Sequence, residues 1–193
     1  RDDVESRGLG DVYKRQHLIS SEEFWGNVEH VQYHMDQPLA DPSCIALYFV
    51  SKLASEYVKV VLSGEGADEL FGGYTIYNEP HVFKAYQKIL PSKFRLWLAK
   101  EVKKLPHFKG QSFIIRGSRE TEEKFIGNAF MYDDEDKRRI LKNPSIVTRP
   151  QSLCKKFYDR VRGYDQETKM QYLDINLWMV GDILLKADRM SMA

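Results

Sequence analysis

The chain has 193 residues, a formal net charge of +1 and a hydrophobic content of 42%. This length is enough for one domain with a sizeable core, and the balanced charge gives no reason to expect a nucleic-acid surface. No apolar run approaches about 18 residues, so the sequence predicts neither a membrane span nor a membrane partner. Cys44 and Cys154 lie far apart, in no ligand-spaced pattern. Such cysteines are typical of buried thiols in a reducing compartment, and we expect a cytoplasmic protein.

Residues 1–16 show no helical or strand periodicity, and the chain has no initiator methionine. We interpret this stretch as read-through of non-native sequence and exclude it from the fold. We expect one domain over residues 17–193, truncated at both ends, because the chain also stops inside an apparent helix.

The first predicted helix begins after Ser20, which is followed by Glu22 and Glu23, a typical helix start. Apolar residues then recur at helical spacing as far as Met35. His30 and His34 have the spacing of a metal-binding pair, but the sequence supplies no third ligand, so we interpret them as part of a helix face. Residues 36–42 form a proline-containing loop, and Ser43 is predicted to cap a second, largely apolar helix.

The next segment predicts a short strand, a tight loop and a short helix. Residues 58–62 (VKVVL) are apolar and β-branched, and a glycine-containing turn ends them at Ser63. Residues 67–71 (ADELF) favour a helix, with two carboxylates in its first turn. In open α/β sheets ligands bind beyond the carboxyl ends of strands, where this loop would lie.

The loop has the chemistry of a phosphate site. Gly64 and Gly66 allow the backbone to approach a ligand closely, and N–H groups ahead of a helix attract anions. Glu65, Asp68 and Glu69 would repel a bare phosphate, but they suit a Mg²⁺ ion that bridges them to it. Alternatively one of them acts on a proton or orients an amine, or the segment is a βα turn with a solvated acidic helix start.

The stretch after Tyr74 is predicted to be mostly helical. Apolar residues recur at helical spacing from Tyr77 to Leu90 and from Phe94 to Leu105. The second of these helices carries a basic face, which we interpret as a solvated surface because its aromatic residues fall on the apolar side. The basic face consists of Lys93, Arg95, Lys100, Lys103 and Lys104. Residues 106–117 are predicted to be a connector, and residues 120–130 and 133–141 two further helices.

The last third is also predicted to be helical. One amphipathic helix ends at Gly163, and another pattern runs from Gln166 to Ala193 with a weak point at Gly181. Asp182, Lys186 and Arg189 have the spacing of a surface ion-pair ladder, which would contribute only about 0.3 kcal/mol per pair.

The segment SGEGADELFGGY, residues 63–74, resembles the signature of the synthetase domain of glutamine-dependent asparagine synthetases and their amidotransferase relatives. Residues 36–43 (DQPLADPS) and 184–193 (LLKADRMSMA) resemble the family segments that flank it. The similarity covers roughly residues 17 to 193 and is weak over about 80 to 160.

The resemblance implies a fragment of an adenine-nucleotide α-hydrolase-like domain, also called a PP-loop ATPase, which is an α/β fold. It implies a ligase in which ATP adenylates the side-chain carboxylate of aspartate and ammonia then displaces AMP to give asparagine. Ammonia would come from glutamine, through an N-terminal glutaminase domain that this chain lacks, and the resemblance allows a homodimeric parent protein.

The family roles transfer to matching positions. Ser63, Gly64 and Gly66 would contact ATP, Glu65 would support formation or aminolysis of the aspartyl-AMP intermediate, and Asp68 would hold Mg²⁺ against pyrophosphate. The resemblance implies that Lys186, Asp188 or Arg189 faces the nucleotide or pyrophosphate and leaves open which of the three does so, and we predict Lys186 and Arg189 as catalytic residues.

Other family features are missing. The chain has no S-G-G-x-D-S phosphate motif and no glutaminase nucleophile, so we expect it to be inert alone and short of sheet neighbours. Relatives with the same signature amidate sugars or close β-lactam or peptide rings, which leaves another carboxylate acceptor open. A non-catalytic helical interaction module is a further alternative, although retention of all three carboxylates in the loop argues against it.

Overall fold

The computed structural model describes residues 15–38, 41–128, 132 and 134–193, without the side chains of residues 134 and 135. The chain forms two compact units, the first from residues 1–63 and 186–193 and the second from residues 64–185. The predicted boundary at residue 17 stays a prediction, and most of the predicted read-through segment, residues 1–14, lies outside the described residues.

The first unit contains α1 (Ser21–His34) and α2 (Ser43–Ser55). The predicted start of α1 is confirmed, because Ser20 and Glu23 form a reciprocal capping box in which Ser20 Oγ accepts the Glu23 N–H at 3.1 Å and Glu23 Oε2 accepts the Ser20 N–H at 2.9 Å. Apolar residues of both helices, together with one methionine near the end of the chain, are buried in this unit. They are Val31, Met35, Cys44, Ile45, Tyr48, Phe49 and Met190.

The cap of α2 differs from the prediction. Ser43 is the first helical residue rather than the cap, and Asp41 Oδ1 accepts its backbone N–H at 2.9 Å. A carboxylate two residues before a helix can reach an unsatisfied N–H group of the first turn, and it replaces the hydroxyl in this role.

The predicted strand at residues 58–62 is wrong for this structure. The described part of the chain contains no strand, and residues 58–62 run irregularly after α2. Val60 is 80% exposed and Leu62 is 96% exposed, so the run is not buried either. A strand exists through hydrogen bonds to a neighbouring strand, and the described residues supply no neighbour.

The second unit is helical, which confirms the prediction of a predominantly helical chain. Its α-helices, in chain order and including the last helix that continues into the first unit, are α3 (Ala67–Phe71), α4 (Glu79–Ile89), α5 (Ser92–Val102), α6 (Gln111–Gly117), α7 (Thr121–Lys124), α8 (Asp134–Ile140), α9 (Pro150–Arg160), α10 (Gln166–Asn176) and α11 (Leu184–Met192). Short 3-10 turns span Thr75–Asn78 and Pro144–Ile146. A π-helical turn, Met179–Ile183, contains Gly181, which confirms the predicted weak point.

Between residues 106 and 141, one predicted connector is wrong, and two predicted helices extend into residues that the structure does not describe. The connector predicted at residues 106–117 contains α6, where Gln111 Nε2 donates to the Val102 carbonyl at 2.8 Å and folds the chain back along α5. Of the helix predicted at residues 120–130, Thr121–Lys124 is helical, and residues 129–130 lie outside the described residues. Asp133, the predicted start of the following helix, also lies outside them.

The core of the second unit is an aromatic and sulfur-containing cluster that packs on α10. Its buried members are Tyr77, Phe125, Cys154, Phe157, Tyr158, Met170 and Leu173. The Tyr158 hydroxyl donates to the Phe125 carbonyl at 2.7 Å, which joins α9 to the segment after α7. Among the residues described, no helix is both long and apolar enough to cross a membrane.

The prediction that Arg95 lies on a solvated helix face is wrong. It is 3% exposed, and its guanidinium donates to the Gly117 carbonyl at 3.2 Å and to Glu120 at 2.6 Å. Burial of an arginine requires such partners, and both come from a segment more than twenty positions away in the sequence.

Candidate active site

Residues 64–74 form a compact loop around α3. Gly66 precedes α3 with φ of 85°, a left-handed conformation that favours glycine, and its carbonyl accepts the Leu70 N–H at 3.1 Å. The Gly64 carbonyl accepts the Ala67 N–H at 3.1 Å, so the turn ahead of α3 is fixed by its own backbone. The loop therefore holds Glu65 and Asp68 on a defined frame.

Gly73 lies directly against Asp68. Its N–H donates to the Asp68 carbonyl at 2.9 Å. A Cβ atom at Gly73 would lie 2.0 Å from Asp68 Oδ1 and 3.2 Å from Asp68 Cα. The side chain of Asp68 thus occupies space that only a glycine at position 73 leaves open.

A cavity of about 310 Å³ opens beside this loop. It is lined by Gly64, Glu65, Gly66, Asp68, Glu69, Tyr74 and Ile183. Four of the residues predicted from sequence, Gly64, Glu65, Gly66 and Asp68, therefore surround one space. Three carboxylates face it, so an anionic ligand there would need a cation between itself and the protein.

Glu69 is the buried member of the three carboxylates. It is 1% exposed and accepts a hydrogen bond from the Tyr74 hydroxyl at 2.7 Å. Burial raises the pKa of Tyr74, and the hydrogen bond to Glu69 raises it further, so this phenol remains a proton donor. Tyr74 packs edge-on to Tyr77 with ring centroids 5.7 Å apart.

Tyr77 continues this buried polar cluster to α10. Its hydroxyl donates to Asp174 Oδ2 at 2.7 Å, while Asp174 Oδ1 accepts no hydrogen bond from the described residues. Burial raises the pKa of Asp174 to about 6, and the charge of Glu69 adds to this effect, although the hydrogen bond from Tyr77 opposes it. Two carboxylates and two tyrosines thus connect the signature loop to the core.

The remaining predicted site residues belong to the first unit. Ser63 is exposed and directly precedes Gly64 in the chain. Lys186 is buried, and its Nζ contacts Asp41 Oδ2 at 2.8 Å and Ser43 Oγ at 2.7 Å. Arg189 pairs with Asp36 at 2.7 Å. Both cations therefore bind acidic residues of the segment 36–43.

The described residues contain no group of three or more His, Cys, Asp or Glu side chains arranged to hold a metal ion. At the signature loop, a bound cation would therefore need ligand oxygens from a phosphate or from water in addition to the protein. His30 and His34 stack edge-on with centroids 4.5 Å apart, and His30 also contacts the ring of Tyr48 at 5.3 Å.

Comparison with known proteins shows that residues 11–193 match the asparagine synthase family. The chain belongs to the asparagine synthase family. It is 44% identical over 189 residues to asparagine synthetase 1 (glutamine-hydrolysing) of Bacillus subtilis strain 168, covering 96% of this chain and 29% of that protein. It is 39% identical over 177 residues to a putative glutamine-hydrolysing asparagine synthetase of Mycobacterium bovis, covering 91% of this chain and 27% of that one.

A putative glutamine-hydrolysing asparagine synthetase 2 of Methanocaldococcus jannaschii is 39% identical over 67 residues, which is 33% of this chain and 13% of that protein. This chain spans less than a third of the length of the relatives it matches. No solved structure matches it.

Sequence reasoning missed the pairing of Glu69 with Tyr74, two residues that line the candidate site. Both were part of the signature, but only the fold shows that Glu69 is buried and bound to Tyr74. One sequence signal could have revealed this pair: Tyr74 follows Glu69 by five positions, and the two glycines between them allow a tight turn. The partnership of Tyr77 with Asp174 spans 97 positions and left no local signal.

We expect the stability of the chain to depend on pH through Asp174. Its folded pKa of about 6 exceeds its ordinary value of 3.8, so the folded state binds more protons than the unfolded state between these values. Protonated Asp174 contributes its full stability to the folded state below about pH 4. The free energy of unfolding then falls by about 3 kcal/mol as the pH rises to about 6, and the contribution is lost at higher pH.

The measurement is urea unfolding of the chain and of its Asp174→Asn variant from pH 4 to pH 8. Asn keeps an acceptor for Tyr77 but cannot ionise, so the variant should gain about 3 kcal/mol relative to the parent across this range. Asp165→Asn, an exposed helix-cap change on the same helix, is the control because the pKa of Asp165 is lowered by the backbone N–H of Thr168. Parallel pH profiles for the parent and Asp174→Asn would contradict the prediction.

We also expect Lys186→Met to destabilise the first unit by about 1–3 kcal/mol, because it leaves Asp41 without its buried cation. Partial burial pushes the pKa of Asp41 up, but hydrogen bonds from Lys186 and Ser43 outweigh it and hold this pKa below its usual value. The stability from the pair is therefore present above pH 4 and lost as pH falls through the lowered pKa of Asp41.

Thermal unfolding at pH 7 and pH 3 checks this expectation. The difference between Lys186→Met and the parent should be large at pH 7 and should shrink at pH 3. Lys52→Met, at an exposed lysine of α2, is the matched control and should change little. Equal stability of Lys186→Met and the parent at pH 7 would refute a structural role for the pair.

Proposed function

We propose that this chain forms part of the synthetase site of a glutamine-dependent asparagine synthetase, a ligase that converts aspartate to asparagine at the expense of ATP. The observation that carries this proposal is that Gly64, Glu65, Gly66 and Asp68 of the signature loop converge around one acidic cavity. The family membership supports it, and relatives that are named glutamine-hydrolysing asparagine synthetases share the segment.

ATP would bind against the loop backbone. Ser63, Gly64 and Gly66 precede α3, where small residues and N–H groups suit close contact with phosphate. The donor set fits Mg²⁺ as a partner of ATP, because Asp68 offers a hard carboxylate oxygen and Mg²⁺ in such sites commonly binds one or two carboxylates plus phosphates. When bound, Mg²⁺ would neutralise charge on the departing pyrophosphate.

The reaction would proceed in two steps. The side-chain carboxylate of aspartate attacks the α-phosphorus of ATP, which forms β-aspartyl-AMP, a mixed anhydride, and releases pyrophosphate. Ammonia then attacks the activated carbonyl carbon, loses a proton, and AMP leaves. Glu65, held in the cavity wall beside Asp68, would accept that proton or orient the attacking amine.

Lys186 and Arg189 stay predicted catalytic residues. The contacts observed for them, with Asp41, Ser43 and Asp36, support a positioning contribution through the segment 36–43. Whether either cation also touches the nucleotide is testable with Arg189→Gln, which should raise the KM for ATP if Arg189 binds phosphate.

We further propose that the complete fold is an adenine-nucleotide α-hydrolase-like domain of the PP-loop ATPase type. The apolar, β-branched run at residues 58–62 leads directly into the loop, as a strand of such a sheet would. Its exposed side chains, among them Val60 and Leu62, would be buried if neighbouring strands came from other parts of a longer protein. An N-terminal glutaminase domain in that protein would supply ammonia.

The test is pyrophosphate release by the full-length protein that carries these residues. With ATP, aspartate and ammonia we expect release that depends on aspartate, and with glutamine in place of ammonia we expect the same products together with glutamate. Activity with a different carboxylate and none with aspartate would move the acceptor to another substrate of the family. The absence of both ATP binding and pyrophosphate release would refute the enzymatic proposal. That result would favour a helical interaction module.

Asp68→Ala should lower the affinity for ATP in the presence of Mg²⁺ by at least tenfold and remove most of the stimulation of binding by Mg²⁺. Isothermal titration with ATP, with and without Mg²⁺, measures both. Glu29→Ala, at an exposed carboxylate on α1, is the control for the loss of one negative charge. If Mg²⁺ stimulates ATP binding equally in Asp68→Ala and the parent, Asp68 is not a metal ligand.

A further inference from the structure

A second cavity lies in the second unit, apart from the signature loop. It encloses about 650 Å³ and is bordered by α4, α5, α6 and α7, by the segment after α7 and by α10. It shares no lining residue with the cavity at Glu65 and Asp68. Its volume lies within the range of about 300–1,000 Å³ that is typical of small-molecule sites.

The walls of this cavity are strongly cationic. Five of its lining residues are basic, namely Lys100, Lys103, Arg116, Arg119 and Lys124, and two, Glu79 and Glu123, are acidic, which leaves a net charge of +3. Glu79 pairs with Arg116, and also with Lys124 at 3.3 Å. For Lys100 and Arg119 the described residues supply no ion-pair partner.

Its other walls are apolar. Leu96 and Ile115 form its accessible apolar wall from α5 and α6, and the almost fully buried Phe125 and Met170 of the core cluster lie behind it. A simple inorganic anion would leave this apolar surface in contact with water. The lining therefore suits a molecule that carries its negative charge on an apolar body.

Lys100, Lys103, Arg116 and Arg119 are exposed at the mouth of the cavity, whereas Lys124 lies deeper in its wall. The side chain of Lys124 is 15% exposed and lies 4.3 Å above the ring of Phe83, and burial lowers its pKa although Glu79 opposes this. Bringing several like charges around one partly enclosed space costs free energy, and an anion bound among them would offset that cost.

We propose that this cavity binds a small organic anion, a carboxylate or phosphate carried on an apolar body, with Lys100 and Arg119 contacting the anionic group. The ligand would occupy a site separate from the one proposed for ATP. The anion would lie toward α5 and the start of α7, and its apolar part would contact Leu96 and Ile115.

The experiment uses the full-length protein and the fluorescent probe 1-naphthyl phosphate, with 1-naphthol and inorganic phosphate as its separate halves. We expect saturable binding of 1-naphthyl phosphate, and at least tenfold weaker binding of either half. The double variant Lys100→Glu/Arg119→Glu should lower the affinity for the probe at least tenfold. The double variant Lys100→Gln/Arg119→Gln removes the two positive charges without adding negative ones, so it should lower the affinity by a smaller factor.

Lys93→Glu is the matched control, because Lys93 is an exposed lysine on the same helix as Lys100 and does not line the cavity. It should change the affinity by less than twofold, and Asp68→Ala, at the other cavity, should also leave it unchanged. Circular dichroism confirms that each variant is folded.

The proposal is overturned if the parent binds no probe, if both double variants bind it as tightly as the parent does, or if Lys93→Glu weakens binding as much as the double variants do. It is also overturned if 1-naphthol binds as tightly as 1-naphthyl phosphate, since the site would then select apolar molecules without regard to charge. Loss of probe binding in Asp68→Ala would show that the probe binds at the signature loop, and this result would also overturn the proposal.

Discussion

Glu65→Gln should lower asparagine formation by the full-length protein about 10²–10⁴-fold, the usual contribution of a positioned proton acceptor. Glutamine keeps the size of the side chain but can neither accept a proton nor carry charge. Because the backbone of the loop is fixed by the hydrogen bonds around Gly64 and Gly66, the variant should retain its fold and bind ATP within about threefold of the parent.

Partial reactions would separate the two possible roles of Glu65. Exchange of labelled pyrophosphate into ATP, which requires aspartate but no ammonia, reports the adenylation step alone. If Glu65 accepts the proton from ammonia, exchange should persist in Glu65→Gln while asparagine formation falls. If Glu65 supports adenylation, both rates should fall together.

The control for this experiment is Glu29→Gln, which removes one charge from an exposed position on α1. It should leave both rates unchanged. Full asparagine formation by Glu65→Gln would remove Glu65 from the chemistry, and it would leave the proposed ATP site to be judged by the Asp68 variant.

The central part of the site could be predicted because its determinants are local. Gly64, Glu65, Gly66 and Asp68 lie within five consecutive positions, and a tight turn into a short helix necessarily places them around one space. Glu69 shares that stretch, yet its burial depends on Tyr74 and on residues of α10 about a hundred positions away. Periodicity in one segment cannot report which side another helix will cover.

The same distinction explains the fold. The capping box of Ser20 and Glu23 is a local arrangement and was predicted correctly. The run at residues 58–62 has the composition of a strand, but a strand also needs a neighbour, which the described residues do not provide. Arg95 was assigned to a solvated face by helical spacing, whereas its partners on the segment 117–120 place it inside.

Gly73→Ala should weaken ATP binding in the presence of Mg²⁺ about 10–100-fold and destabilise the chain by about 1–3 kcal/mol. The new methyl group would lie 2.0 Å from Asp68 Oδ1, so the carboxylate must leave the position from which it faces the cavity. The backbone has little room to yield, because Asp68 Cα is 3.2 Å from the same point. Titration calorimetry with MgATP and thermal unfolding measure the two effects.

A double-mutant cycle with Asp68→Ala shows whether the carboxylate is the cause. Once Asp68 has lost its side chain, Gly73→Ala should cost little further ATP affinity, so the two changes should be strongly non-additive. Gly163→Ala is the control, since no atom lies within 4 Å of a Cβ there. Additive losses of ATP affinity would mean that Gly73 acts on the nucleotide site independently of Asp68, which would contradict the role assigned to their close contact.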